Sequence, residues 1–186
     1  MAVGALAYAA GVLGVVAFLT RSYGQAVPLW ATLDSQIPNP RHEHCAVQFE
    51  GRILLIGGRG IKPVDEYNPD TGTWTAKKEP AFDREIHHMQ CVPFGDGVVV
   101  GGAWTGGFPA EDNFDDVYLY MPREDEWKKL TVMPSGRSRG SAGCSVYEGK
   151  IYFSNGNIGG HREEATALNW LDSYDPDSDQ WEELQD

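Results

Sequence analysis

The sequence predicts an all-β fold made of repeated small sheets, and three observations carry that prediction. The pattern Tyr-x-Pro-x-x-x-x-Trp occurs three times, as YNPDTGTW at 67–74, YMPREDEW at 120–127 and YDPDSDQW at 174–181. The copies begin at 67, 120 and 174, a spacing of 53 or 54 residues. Gly (22) and Trp (6) are both abundant, a composition of tight turns and aromatic anchors that suits repeated β-sheets. With 8 Tyr, 11 Pro and 6 Trp in 186 residues, a single random match is expected about 0.015 times, so three at near-constant spacing mark a structural unit.

The chain opens differently. Residues 2–20, AVGALAYAAGVLGVVAFLT, carry no charge. As a helix they reach roughly 28 Å, close to a bilayer core. The segment 1–26 reads as a signal peptide cut near Gly24-Gln25-Ala26, which places the protein outside the cell. The rival is an uncleaved single-pass membrane anchor followed by Arg21. Either way it precedes the repeats. Next, LWATLDSQIPNPR (29–41) matches the end of a repeat, because Trp30 precedes Arg41 much as Trp74 precedes Arg84 and Trp127 precedes Arg137. Residues 27–40 are therefore expected to hold an orphan outer strand, Trp30 to Leu33.

Three units follow, at 41–83, 84–136 and 137–186. Each begins near an Arg (Arg41, Arg84, Arg137). A strand comes next: HCAVQF (44–49), QCVPF (90–94), GCSVY (143–147). A tight turn at Glu50-Gly51, Asp96-Gly97 or Glu148-Gly149 leads into RILLIGG (52–58), VVVGG (98–102) or KIYFSNG (150–156), a hairpin signature. After a variable loop comes a third run, VDEY (64–67), VYLY (117–120) or LDSY (171–174). The Pro turn then delivers the Trp that opens the fourth: WTAKK (74–78), WKKL (127–130) or WEEL (181–184). A four-stranded sheet with two apolar faces is not stable alone. Stacking copies around an axis yields a propeller.

The order hydrophobic–Gly–Gly, Tyr-x-Pro, Trp resembles the kelch repeat over residues 41–184. Gly57, Gly58, Gly101, Gly102, Gly156, Tyr67, Trp74, Tyr120, Trp127, Tyr174 and Trp181 stand at its motif positions, with Asn155-Gly156 replacing the Gly pair in the third unit. The resemblance implies a kelch-type β-propeller whose four-stranded blades here number three, plus the orphan strand, after an apolar N-terminal helix. It implies a non-catalytic module for protein–protein interaction through one face, without cofactor. Propellers similar to kelch also include copper-radical oxidases and sugar-acid isomerases, and an enzyme of that kind would set His, Tyr or Arg from several blades at the channel mouth. Closed propellers take about 4 to 8 blades. The expectation is therefore that the chain is the N-terminal part of a longer propeller; in the alternative two copies pair into one ring.

The net charge of −12 and pI near 4.7 argue against a nucleic-acid partner, which wants a basic face. In a meander, the loops after strands two and four share one face, and the long ones are 103–116 and 157–170. Added length on one face reads as binding surface. Trp104, Phe108, His161, Arg162 and Trp170 are its candidate contacts, with loop anchoring as the structural alternative. Arg41, Arg84, Arg137 and Arg139 sit at the entry to the innermost strands. They read either as a ring of guanidiniums for a carboxylate or phosphate or as partners of acids and carbonyls within the blades. Cys45, Cys91 and Cys144 recur at one blade position and read as buried core rather than a disulfide framework. His42 and His44 on one strand face permit a metal but lack a third ligand, so no metal site is assigned. No Gly-Lys-Ser phosphate loop and no Gly-x-Ser-x-Gly elbow is present.

Overall fold

The computed structural model describes residues 36–80 and 82–185. The apolar segment 1–26 and the strand expected at Trp30 to Leu33 lie outside them. Among the described residues no helix is long and apolar enough to cross a membrane.

The first blade consists of β1 (Cys45–Phe49), β2 (Arg52–Ile56), β3 (Asp65–Asn68) and β4 (Thr73–Ala76). The second contains β5 (Gln90–Phe94), β6 (Gly97–Gly101), the short β7 (Ala103–Thr105) and β8 (Asp112–Phe114), β9 (Asp116–Met121) and β10 (Glu126–Val132). The third contains β11 (Gly143–Tyr147), β12 (Lys150–Ser154), the short β13 (Asn157–Ile158) and β14 (Thr166–Ala167), β15 (Leu171–Asp175) and β16 (Gln180–Gln185). The three large sheets are antiparallel meanders in the orders β1-β2-β3-β4, β5-β6-β9-β10 and β11-β12-β15-β16. Strand β5 lies beside both β1 and β11, so the innermost strands of successive blades are neighbours, as in a β-propeller.

Burial explains the order. Val98, Val99 and Val100 of β6 are all buried. Val98 and Val100 join a core with Leu54 and Ile56 of the first blade, while Val99 joins Ile151 and Phe153 of the third. A central blade buries both faces, so its second strand reads as an unbroken apolar run. Each such side chain contributes about 1.5–3 kcal/mol.

The Tyr-x-Pro-x-x-x-x-Trp pattern pairs its own ends. Tyr67–Trp74, Tyr120–Trp127 and Tyr174–Trp181 are directly opposite across the outer two strands. Their ring centroids are 4.9, 4.9 and 5.1 Å apart, tilted by 41, 42 and 39°. In the second and third blades the Tyr hydroxyl donates to an Asp in the turn, Asp125 at 2.9 Å and Asp179 at 2.8 Å. Both aspartates have positive φ, as does Gly72 at the same place in the first blade. Asp is among the few residues that tolerate that backbone and can also accept the bond.

Two expectations are corrected. The turn of the second blade is Gly95-Asp96, not Asp96-Gly97, since Phe94 pairs with Gly97. Gly95 supplies the left-handed φ of 54°. Gly97 is already in the strand, where a Cβ would come 2.6 Å from the Tyr120 carbonyl oxygen. The segments 103–116 and 157–170, expected as loops, each contain a two-stranded ribbon, β7–β8 and β13–β14.

Candidate functional site

Aligned on their first turns, the three blades show what the arginines do. Arg41 and Arg139 are equivalent. Arg41 Nη1 and Nη2 donate to the carbonyls of Leu55, Gly57 and Pro63 at 3.2, 3.0 and 2.9 Å, and Nη2 pairs with Asp65 at 2.6 Å. Arg139 donates to the carbonyls of Asn155, Arg137 and Phe153, and its Nη1 lies 2.6 Å from Asp172 Oδ2 as an ion pair without hydrogen-bond alignment. Arg137 donates to Asp172 Oδ1 at 3.0 Å. The face of Trp170 covers Arg137 at 4.5 Å and Arg139 at 5.6 Å. Arg41 and Arg139 thus tie the entry segment to the second and third strands of their own blades, and Arg137 ties it to the third and fourth. They do not form a ring of arginines open to a ligand at a channel mouth, because each meets an aspartate and at least one backbone carbonyl of its own blade.

The second blade is the exception. Ile86 stands where Arg41 and Arg139 stand, and Tyr118 where Asp65 and Asp172 stand. Arg84, equivalent to Arg137, has lost its carboxylate. It is more than half exposed, and its ion pair is with its neighbour Asp83, at 3.5 Å. It lies on the rim of a polar cleft with Phe82, Asn113, Asp115, Asp116 and Tyr118.

The residues that do converge come from the loops after the second strands, Arg59 from the short loop of the first blade and Glu111, His161 and Arg162 from the two long segments. Arg59, from the first blade, donates through Nε to Glu43 (2.5 Å), through Nη1 to the Gly106 carbonyl (2.7 Å) and through Nη2 to Glu111 (2.7 Å). Glu111, wholly buried, also accepts from the His161 backbone N–H at 3.1 Å and lies 3.0 Å from His161 Nδ1. Arg162 closes the group by donating to the Glu111 and Ala110 carbonyls, both at 2.9 Å, and to Asp112 at 3.1 Å. One carboxylate therefore anchors loops of all three blades. Burial alone would raise the Glu111 pKa. The hydrogen bonds from Arg59 and His161 outweigh it and hold the carboxyl down at about 2.

Above this network is an aromatic layer. Trp104 is 3% exposed, and its ring centroid lies 4.8 Å from that of His88 and 5.2 Å from that of His161. Phe108 packs on His161 at 5.4 Å yet is 72% exposed. Beneath it, His87 is fully buried, with Nδ1 2.9 Å from His88 Nδ1 and Nε2 3.3 Å from the Gly106 carbonyl. Glu43, His87 and His88 bring three potential ligand atoms together. Burial pushes the pKa of both histidines down, with Arg59 adding to the effect.

Of the sequence candidates, Trp104, Phe108, His161 and Arg162 come together, Arg84 stands apart, and Arg41, Arg137, Arg139 and Trp170 brace the blades. His42 and His44 do not share a strand face, since β1 starts at Cys45, and the side chain of His42 is 71% exposed. Glu43, Arg59, His88 and Glu111 join the site although no motif in the sequence marks them. Repeat alignment carries the missing signal, since Glu43 and His88 occupy one left-handed corner of successive blades, with φ of 58 and 52°.

Known proteins agree with this architecture. The Kelch motif model matches residues 158–186. The chain is 31% identical to Kelch-like protein terF of Aspergillus terreus over 84% of its length and 37% of that protein. It is 29% identical to Kelch-like protein 35 of Mus musculus over 78% of its length and 23% of that protein. With Kelch-like protein 34 of Homo sapiens it shares 26% identity, over 92% and 26% respectively. The chain thus spans well under half of these relatives. The solved structure of YjhT superposes with a TM-score of 0.67 at 16% identity, covering 82% of this chain and 54% of that one, a likeness of fold. Three matched Tyr–Trp blades, the motif match and these relatives place the chain in the kelch-repeat β-propeller family.

Proposed function

We propose that the chain is a protein-interaction module that binds through the face carrying residues 103–116 and 157–170. The observation that carries this reading is Phe108. A large apolar ring, 72% exposed, sits on an ordered platform of Trp104, His161, Arg162 and Glu111. Exposed aromatics on a rigid, polar-rimmed surface are what interface hot spots are made of. The acidic chain around it favours a partner with a basic rim around an apolar centre.

The test is affinity capture with the full chain, followed by reconstitution with the purified partner. Phe108→Ala and Arg162→Ala are expected to weaken binding at least tenfold while the far-ultraviolet spectrum stays unchanged. Affinity unchanged in both variants overturns the assignment of this face.

A further inference from the structure

We propose that Glu43, His87 and His88 form a tetrahedral site for a zinc-class divalent ion at the junction of the first and second blades. The inference is independent of whether the loop face binds a protein.

Geometry carries it. The His87 Nδ1–His88 Nδ1, His88 Nδ1–Glu43 Oε2 and His87 Nδ1–Glu43 Oε2 distances are 2.9, 3.3 and 3.7 Å. Zinc takes imidazole nitrogen and carboxylate oxygen at about 2.0–2.2 Å in tetrahedral array, so its ligand atoms are about 3.3–3.5 Å apart. The three observed edges average about 3.3 Å, which matches that spacing. An octahedral face at about 2.1 Å would draw them in to about 3.0 Å.

The surroundings are arranged as a metal site requires. The Gly106 carbonyl only accepts, so the Nε2 contact of His87 is a donated N–H. A neutral His87 ring therefore turns a bare Nδ1 towards the cluster. A ligating histidine that gives its other N–H to a carbonyl is the usual outer-sphere support. Arg59 Nε donates to Glu43 Oε2, the oxygen that faces the histidines, and fixes its position while leaving a second lone pair for the ion. Without an ion, two imidazole nitrogens 2.9 Å apart share one proton. A divalent cation takes the place of that proton and binds both. Burial favours this exchange, because neutral rings are the form that ligates. His87 is sealed in, whereas the His88 side chain is 23% exposed, so ion and a fourth, water ligand enter from that side. Glu43 comes from the first blade and both histidines from the second, so the bound ion staples the two blades.

The experiment uses the full chain after chelator treatment and dialysis. Zinc titrated by calorimetry is expected to bind at one equivalent, and cobalt(II) to give the intense visible bands of four-coordinate geometry. His88→Gln and Glu43→Gln, both at partly exposed side chains, are expected to weaken zinc binding at least tenfold with an unchanged far-ultraviolet spectrum. These two keep the test valid if His87→Ala does not fold. His161→Gln is expected to retain binding. The proposal is overturned by folded wild-type chain that binds no stoichiometric zinc, by the weak bands of six-coordinate cobalt, by zinc binding unaltered in the Glu43→Gln/His88→Gln double variant, or by its loss in His161→Gln.

Discussion

Arg41 Nη2 lies 2.6 Å from Asp65 Oδ2, and neither side chain reaches solvent. The second blade holds Ile86 and Tyr118 at the same two positions, so one kelch-repeat chain contains both solutions to one packing problem: a buried ion pair and its apolar replacement. Removing one partner of such a pair leaves an uncompensated charge, whereas replacing both can be close to neutral.

The first prediction follows from that contrast. Asp65→Ala is expected to destabilise by about 3–5 kcal/mol, the cost of a stranded buried charge. Arg41→Ile combined with Asp65→Tyr, which copies the second blade, is expected to cost less than Asp65→Ala alone. Urea unfolding of the singles and the double, read as a mutant cycle, checks it; an additive double would show that the pair is not coupled.

A glycine gives the second. A Cβ on Gly140 would lie 1.8 Å from Trp104 Cδ1 and 2.1 Å from its Nε1. Gly140→Ala is expected to cost about 2–3 kcal/mol through overpacking against a buried ring. Gly149→Ala meets open space and bears only the strain of its φ of 78°, about 1 kcal/mol. Thermal melting of the two variants side by side ranks them.

Third, acid should release the loop face before the blades. The Glu111 pKa is lowered to about 2 from an ordinary 4.5. A lowered carboxylate pKa means that its stabilisation is complete above about 4.5 and fades as pH falls towards 2. Limited proteolysis between pH 5 and pH 2 should show residues 157–170 opening within that window. Glu111→Gln, which takes from Arg59 one of the carboxylates it faces while Glu43 stays in place, is expected to open the same segment at neutral pH at a cost of about 1.5–3 kcal/mol, that of a hydrogen bond to a charged group.

Fourth, the cysteines should react slowly. Burial pushes the Cys144 thiol up to about 12, and burial with Cys45 alongside raises that of Cys91. The thiolate is the nucleophile, so alkylation of folded protein by iodoacetamide at neutral pH should lag that of urea-unfolded protein at least tenfold.

Much of this was legible in the residues. The Tyr–Trp spacing places the third and fourth strands of each blade, because the two rings are cross-strand partners and the turn between them has a fixed length. The first turn of the second blade lies one residue earlier than the sequence suggests, because Gly95, Asp96 and Gly97 offer two equally good turns and only the close approach to Tyr120 decides. Arg84 aligns with Arg137, but Arg41 does not share their position: it aligns with Arg139, and Asn39 stands at the place of Arg84 and Arg137. The role of Arg84 differs from that of Arg137 because Tyr118, far away in sequence, stands where the acid would be. At the site, Trp104, Phe108, His161 and Arg162 stood out as aromatic or basic residues in long segments. Glu43 and Glu111 did not, since among so many acidic residues nothing local distinguishes a carboxylate that will be enclosed from one that stays wet.

The left-handed corner before each innermost strand carries Glu43, His88 and Ser141 in turn. Its backbone shape is common to all three copies, while its side chain is acidic, aromatic-basic and hydroxylic. New chemistry can thus be installed at this ring position one copy at a time without disturbing the hydrophobic seams, since the tip projects from a bend that the main chain already sustains. A propeller of this sort diversifies as a revolver does, by changing what sits in each chamber and leaving the cylinder alone.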